Sequence, residues 1–329
     1  MAQWSIKNKL LMMTIAILLA SQLLVIGIGS KVTKQSMAQA NQQASARLNL
    51  EVNHYLAAQA NSAANQVGAY LQRSFALPTI VAAILADSSV YVASEPLSRN
   101  SVDALVKSSL QANPHVSSLY AQFEADGYDG LDQESIGLGS HTTPTGSLEI
   151  YWLREGGSVV NYPVEDANEK YLQTRNEFGQ REAEWYLCSK ETGRACILEP
   201  YLYEISEGNE VLMTTMSAPV MTSGVFRGIV GIDINLPIIQ QQISTLADEL
   251  YDGRAEVHLL SASQRIIASS RFDGEWLGRP LGEADSDFDR QLSSNNLADD
   301  DSYVVKKVDV PIENAKTQWS LVIRVPIAV

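Results

Sequence analysis

The most apolar part of the chain lies near its beginning. Residues 10–29 contain no charged side chain, and lysines stand on both sides of the run, at Lys7, Lys9, Lys31 and Lys34. The run is long enough to cross the hydrocarbon core of a bilayer as a helix, and it is longer than the apolar part of a typical signal peptide. We therefore predict that residues 1–30 form a cytoplasmic tip and an uncleaved transmembrane helix.

Residues 31–86 have the pattern of one long helix. The segment is rich in alanine and glutamine, and its first glycine and proline are Gly68 and Pro78. Apolar residues such as Val52, Tyr55 and Leu56 recur at three- and four-residue spacings, which is typical of an amphipathic helix. We predict a stalk helix that pairs two copies into a homodimer. The alternative is that the helix packs on its own domain. We expect one half of the helix to pair with the second copy and the other half to pack on its own domain.

Two later sections of the chain each predict a helix followed by a sheet of about five strands. In the first section, helical spacing at residues 101–111 precedes strand patterns at 116–123 and 148–154, and residues 165–184 are predicted as turn and loop. In the second, a helix beginning near Pro237 precedes strand patterns at 255–262, 264–270, 303–310 and 318–325. The fold class is therefore α+β, with modules at residues 87–249 and 250–329.

The stretch from Trp185 to Leu236 combines apolar strand patterns with polar residues. Side chains two apart in a strand share a face, so Tyr201 and Tyr203 lie together, and Asp233 lies in the middle of an otherwise apolar strand. A buried carboxylate must find a partner or bind a ligand. Pairing with Arg227, or capping of backbone amides, is the structural alternative to a binding site.

Composition narrows the functional classes. The net charge of −14 disfavours binding to nucleic acid and mildly favours a cationic ligand. Two cysteines, Cys188 and Cys196, are too few for a metal site with four scattered histidines, so a local disulfide is predicted, which places this part of the chain in an oxidising compartment. The acidic turn at residues 126–134 does not follow the spacing of a calcium loop. We expect neither a metal nor a cofactor.

Several sequence features resemble the double-Cache sensor domain of bacterial chemoreceptors, the methyl-accepting chemotaxis proteins. The matching features are Trp185-Tyr186, Glu199-Pro200-Tyr201, Ala218-Pro219-Val220, the segment at residues 226–236 and the closing segment at residues 319–326. This resemblance implies two stacked PAS-like modules with antiparallel sheets, a small ligand in the membrane-distal one, and an inner-membrane protein whose sensor domain lies in the periplasm.

Many sensors of this family bind amino acids through a pattern that this chain matches only in part. Trp185, Tyr186, Tyr201 and Asp233 stand at matching positions of this pattern, in which the aspartate and the tyrosines bind the ligand amino group. Phe178 and Ala183 replace the tyrosine and arginine that bind its carboxylate, and Arg181 lies two residues early. The resemblance therefore implies a sensor for a small cationic amine, similar to polyamine or histamine receptors. The predicted ligand-binding set is Trp185, Tyr186, Tyr201, Tyr203, Asp233 and Glu184.

Physical chemistry favours the same interpretation of these residues. Aromatic faces attract cations, and a carboxylate adds a charge-assisted hydrogen bond. The first alternative is an amino-acid sensor in which Arg181 binds the carboxylate, and the second is the sensor part of a kinase or cyclase. An enzyme is disfavoured, since the chain has no Gly-x-Ser-x-Gly, no His-Glu-x-x-His and no phosphate-binding glycine loop.

Overall fold

The computed structural model describes residues 6–176, 179–206, 209–272, 274–294, 303–312 and 318–326, without the side chains of residues 202–210 and a few in the first helix. The chain divides into two compact units, Met1–Ala58 and Gln59–Val329. Its helices are α1 (Ile6–Asp87), α2 (Arg99–Ala112), α3 (Glu184–Thr192), α4 (Leu236–Glu249), α5 (Leu281–Ala284) and α6 (Ser286–Ser294).

Helix α1 contains both the predicted anchor and the predicted stalk. Two of its segments, Met12–Ala44 and Leu50–Asp87, are long and apolar enough to cross a membrane by length and composition alone. The apolar window of the first segment is fully exposed, whereas 44% of that of the second is buried inside the protein. The first segment contains most of the apolar run predicted as the anchor, and a signal sequence would have the same properties.

The larger sheet is antiparallel throughout and has the order β3-β2-β1-β7-β6-β4, with β5 paired to β6. Its strands are β1 (Ser118–Phe123), β2 (Glu149–Glu155), β3 (Ser158–Asn161), β4 (Cys196–Ile197), β5 (Tyr201–Ser206), β6 (Asn209–Thr222) and β7 (Val225–Asn235). The apolar face of α2, formed by Val102, Val106 and Leu110, is buried, and α2 contacts β1 and β2. Helix α3 contacts β4, β6 and β7.

The smaller sheet is also antiparallel, with the order β10-β11-β8-β9. Its strands are β8 (Glu256–Leu260), β9 (Ile266–Ser269), β10 (Tyr303–Asp309) and β11 (Ser320–Pro326). Helix α4 links the two sheets in sequence and contacts β8 and β9. Glu199, just before β5, accepts hydrogen bonds from the hydroxyl of Ser261 and the backbone N–H of Ser263, and it thereby joins the larger sheet to the turn between β8 and β9.

The predicted fold class is confirmed, since the chain is α+β with a long apolar N-terminal helix and antiparallel sheets. The strand counts differ from the prediction of about five per sheet, with seven strands in the first and four in the second. The short strands β3 and β4 were not predicted. Helix α3 was not predicted either, because its nine residues contain too few apolar positions to show a helical period.

The acidic turn at residues 126–134 is bound to an arginine. Asp129 and Asp132 each lie 2.7 Å from the Nη2 atom of Arg99, at the start of α2. The guanidinium, which also donates to the carbonyl oxygen of Gly146, occupies the position where the carboxylates converge. Among the residues that the structure describes, no cluster of acidic, histidine or cysteine side chains could hold a metal ion.

Candidate functional site

One face of the larger sheet forms the floor of a cavity of about 440 Å³. Ser118 and Tyr120 on β1 lie opposite Asp233 and Gly231 on β7, and Thr215 on β6 lies on the other side of Asp233. The period of two therefore places residues 229, 231 and 233 on one face, as the sequence predicted. In the row that contains Asp233, both neighbouring side chains carry a hydroxyl group.

Asp233 is buried, and its side chain binds only hydroxyl groups among the described residues. Thr215 donates to its Oδ1 atom at 2.6 Å, the Tyr201 hydroxyl donates at 3.3 Å, and Ser118 donates to Oδ2. Burial raises the pKa of the Asp233 carboxyl above its ordinary value, and these hydrogen bonds oppose the rise. The carboxylate is thus held in place at the floor of the cavity without a cationic partner in the described structure.

Neither structural alternative for Asp233 is found among the residues that the structure describes. The guanidinium of Arg227 lies 3.7 Å from the ring centre of Tyr91, and its Nε atom donates to Thr222. The side-chain oxygens of Asp233 accept from hydroxyl groups, as described above, and not from backbone amides. The strand therefore holds an acidic group whose arrangement leaves it available to a ligand that enters the cavity.

Helix α3 separates three residues that the sequence analysis placed in one site. Successive side chains on a helix point about 100° apart, so Glu184, Trp185 and Tyr186 have different surroundings. Only Trp185 lines the cavity. Tyr186 is fully buried and its hydroxyl donates to Glu124 at 2.5 Å, while Glu184 accepts from Arg181 at 2.6 Å. The structure therefore does not bring Tyr186 or Glu184 to the cavity.

Of the other residues of the family pattern, some line the cavity and others do not. Tyr201 lines the cavity, whereas the side chain of Tyr203 and the whole of Phe178 lie outside the described residues. Ala183 is buried at the start of α3 and is not part of the lining. Arg181 binds Glu184 and Glu191, and it lines a second, smaller cavity of about 320 Å³. Arg181 is thus engaged away from Asp233.

A disulfide between Cys188 and Cys196 joins α3 to β4. The two cysteines and Leu198 form a buried cluster, against which Trp185 and Tyr201 pack. The bond therefore lies directly behind two of the aromatic side chains that line the cavity. It fixes the end of α3 relative to the sheet from which Asp233 projects.

We expect the protein to contain no reactive thiol when it is denatured without a reductant. Replacing both cysteines by serine should lower the free energy of unfolding by about 2–3 kcal/mol, because the closed loop restricts the unfolded chain. A thiol titration and denaturant unfolding of the double variant measure the two effects. Two thiols per chain in the parent protein would contradict the expectation, and so would an unchanged unfolding midpoint.

The outer wall of the cavity is the segment that follows β3. Pro163, Val164 and Leu172 contribute apolar contacts, and the carboxylates of this wall are Glu165, Asp166 and Glu169. Within the segment, Lys170 is buried and donates to Glu149 on β2 and to the carbonyl oxygen of Phe123 on β1. This lysine attaches the wall to the floor.

Several residues of the lining were missed from the sequence. They are Tyr120, Gln122, Tyr151, Tyr162, Asn176, Glu182 and the wall residues named above. The period of two in β1 would have placed Tyr120 and Gln122 on one face, but the sequence does not show which strand lies beside β7. The wall segment has no regular period and could not be assigned to the cavity from sequence.

Comparison with known proteins identifies relatives of this chain. Residues 102–241 match the family described as the methyl-accepting chemotaxis protein-like first PDC sensor domain. The methyl-accepting chemotaxis protein TlpQ of Pseudomonas aeruginosa is 30% identical over 244 residues, which are 69% of this chain and 33% of TlpQ. The chain thus spans about a third of the length of that curated relative.

Solved structures show the same fold. A structure described as methyl-accepting chemotaxis protein X has a TM-score of 0.65 and 20% identity, and the match covers 85% of this chain and 99% of that one. A second structure is the ligand-binding domain of the Pseudomonas aeruginosa PAO1 amino-acid chemoreceptor PctC in complex with GABA. Its TM-score is 0.51 at 15% identity, and the match covers 83% of this chain and 99% of that one. The resemblance to chemoreceptor sensor domains that the sequence predicted is confirmed.

Proposed function

This chain belongs to the methyl-accepting chemotaxis protein-like PDC sensor domains, and on that premise we propose that its cavity binds a small cationic amine. The observation that carries the proposal is the charge of the lining. Five carboxylates line the cavity, and its described lining contains no lysine, arginine or histidine. The carboxylates are Asp233 at the floor and Glu165, Asp166, Glu169 and Glu182 nearer the opening.

The cavity combines these charges with aromatic walls. Trp185 and Tyr201 lie beside Asp233, and Tyr120, Tyr151 and Tyr162 complete the ring of aromatic side chains. An ammonium group over an aromatic face is stabilised by about 0.5–2 kcal/mol, depending on how far it is desolvated. Partial burial and the nearby Asp166 raise the pKa of Glu169, so a bound cation would relieve repulsion at the opening as well.

An amino acid is the second candidate, because PctC is described in complex with GABA. Such a ligand needs a partner for its carboxylate. Among the side chains of the described lining, the amides of Gln122 and Asn176, the indole N–H of Trp185 and the tyrosine hydroxyls could donate to it, and the five carboxylates would repel it. Arg181 is bound to Glu184 and Glu191. The charge balance therefore favours an amine without a carboxylate.

The proposal includes the location of the domain and its pairing. The disulfide supports an oxidising compartment, which for a bacterial receptor anchored through the start of α1 is the periplasm. Along α1, large apolar side chains such as Leu50, Tyr55 and Ile80 are exposed. They support pairing of two copies through this helix. The whole receptor would then report ligand binding across the inner membrane.

We expect putrescine, spermidine or histamine to raise the melting temperature of the protein. A ligand at 100 times its dissociation constant adds about 2.7 kcal/mol to the free energy of unfolding. Differential scanning fluorimetry with these amines, and with L-alanine and GABA in parallel, measures the effect. Stabilisation by the amino acids but not by the amines would contradict the proposal and support the second candidate.

A further inference from the structure

Gly231 lies on the same face of β7 as Asp233, opposite the lining residue Tyr120, and its backbone does not require a glycine. The φ angle of Gly231 is not positive. The residue lies inside the regular pairing of β7 with β1 and β6. A glycine in the interior of a strand weakens the strand because it has no side chain to pack. Such a position indicates that another group approaches the backbone closely.

The group that approaches Gly231 is the side chain of Tyr120. A methyl carbon added at residue 231 would lie closer than 3.0 Å to the Cζ, Cε2 and hydroxyl atoms of Tyr120, a distance that Cβ atoms do not adopt. The two residues are direct partners across the strands. The phenol ring of Tyr120 therefore extends from β1 across the Cα atom of Gly231 on β7.

The position of this ring matters because it lies beside Asp233. Tyr120 lines the cavity in the row next to the Asp233 row, and its ring contacts Trp185 and Tyr151 edge to face, with centroids 5.7 and 5.6 Å away. On the other side of Gly231, Ser217 is bound to Ser189 of α3. The ring thus fills the space over Gly231 and forms the part of the floor on which the end of a ligand at Asp233 would rest.

We propose that Gly231 is a specificity-determining residue of the cavity, because its missing side chain lets Tyr120 lie across β7 and close the floor beside Asp233. A side chain at residue 231 would force the ring upward, into the space that a ligand needs. Removal of the ring would instead open a pocket of about aromatic size next to Asp233. The proposal rests on the proposed function in taking this cavity as the ligand site.

A double-mutant cycle of the full chain in detergent tests this proposal, with Gly231→Ala, Tyr120→Ala and the double variant. We expect Gly231→Ala to weaken putrescine binding by roughly tenfold or more. In the Tyr120→Ala background the same substitution should change the affinity less than about twofold, because the clash is gone. Isothermal titration gives the affinities, and melting temperatures show that each variant is folded. An equal loss in both backgrounds would overturn the proposal.

Ligand size provides a readout that a merely structural role of Gly231 would not change. Tyramine carries a phenol ring that can occupy the opened pocket, so the ratio of tyramine to putrescine affinity should rise roughly tenfold in Tyr120→Ala. This measurement shows whether the Tyr120 ring limits the size of the ligand, even if Gly231→Ala fails to fold. An unchanged ratio would mean that the ring does not limit the ligand.

A spectroscopic comparison separates this proposal from the proposed function. Displacement of Tyr120 alters its contact with Trp185, so near-ultraviolet circular dichroism of the empty protein should change in Gly231→Ala, and Trp185→Phe identifies the contribution of the indole. If the parent binds no amine, the proposed function fails, while this comparison still decides whether Gly231 positions Tyr120. A spectrum of Gly231→Ala identical to that of the parent would overturn the proposal.

Discussion

Replacing Asp233 by asparagine should reduce amine affinity by roughly 30-fold to several thousand-fold, the equivalent of about 2–5 kcal/mol for loss of one partner in a buried charge pair. Asparagine keeps the size of the side chain and one acceptor oxygen but removes the negative charge. The hydroxyls of Ser118, Thr215 and Tyr201 can rotate to accept from the new amide. The empty protein should therefore lose little stability, or gain some, because an uncompensated buried carboxylate has been removed.

Asp166→Asn is the matched control for this substitution. Asp166 also lines the cavity, but it is exposed at the opening and binds Asn168. Exposed charges interact weakly through water, so we expect this variant to change the affinity only a few-fold. Calorimetric titration of both variants, with a melt of each, measures the effects. Unchanged affinity of Asp233→Asn in a destabilised fold would remove Asp233 from the ligand site.

The affinity should also depend on pH in a defined direction. Burial raises the pKa of Asp233, and an ammonium ion binds the ionised form. Amine binding should therefore strengthen as pH rises through the pKa of Asp233, and proton release should accompany binding below it. Titrations between about pH 5 and about pH 8 measure the slope. Asp233→Asn should show a smaller slope, and an equal slope in the two proteins would contradict the assignment.

The sequence predicted strand β7 and the face that carries Asp233 correctly because the pattern is local. A period of two places the carboxylate of Asp233 on one face, and the charge in an apolar run marks it as exceptional. Tyr186 and Glu184 were placed in the site because they are adjacent in sequence to Trp185. In helix α3 the three side chains point in different directions. The sequence of α3 has no apolar period from which the helix could have been predicted. Neighbouring positions in the sequence therefore did not show which side chains share the cavity, because the helix that carries them was not predicted.

The outer wall could not be predicted for a different reason. Its position depends on Lys170, which lies 21 residues from Glu149 in sequence and belongs to a stretch with no regular period. A lysine in a polar stretch is normally exposed, whereas Lys170 and Glu149 are both buried. Only the tertiary arrangement shows that the two charges meet beneath the cavity. Sequence reasoning thus found three residues of the lining, Trp185, Tyr201 and Asp233, and missed what holds the wall.

Replacing Lys170 by methionine should destabilise the protein by about 3–5 kcal/mol at pH values above the folded-state pKa of Glu149 in the variant, because a buried carboxylate is then left without its partner. Burial already raises the pKa of Glu149 to about 7, against the opposing effects of Lys170 and Ser147. One carboxylate oxygen of Glu149, Oε2, has no hydrogen-bond partner in the described structure, so the remaining contacts cannot compensate for the lost lysine. Since Glu169 and Leu172 flank Lys170 and line the cavity, ligand affinity should fall as well.

The pH dependence of this loss follows from the same carboxyl group. Without Lys170 the folded-state pKa of Glu149 rises further above its unfolded value. A group with a raised folded-state pKa favours the folded protein at low pH, and that contribution is lost as pH rises from the unfolded pKa through the folded one. The deficit of Lys170→Met relative to the parent should therefore be smallest at low pH and largest above the raised pKa. Denaturant unfolding of both proteins, from low pH to above the raised pKa of Glu149, measures the difference in their free energies of unfolding.

Two further variants distinguish the buried charge from the lost side chain. Adding Glu149→Gln to Lys170→Met removes the unpaired carboxylate and should restore much of the lost stability and abolish the added pH dependence. Lys190→Met breaks the ion pair with Glu124, in which the two side chains are 34% and 27% exposed. A partly exposed pair contributes about 0–1 kcal/mol, so this control should lose far less. Equal losses in Lys170→Met and Lys190→Met, or no recovery in the double variant, would show that the buried pair does not hold the wall to the floor.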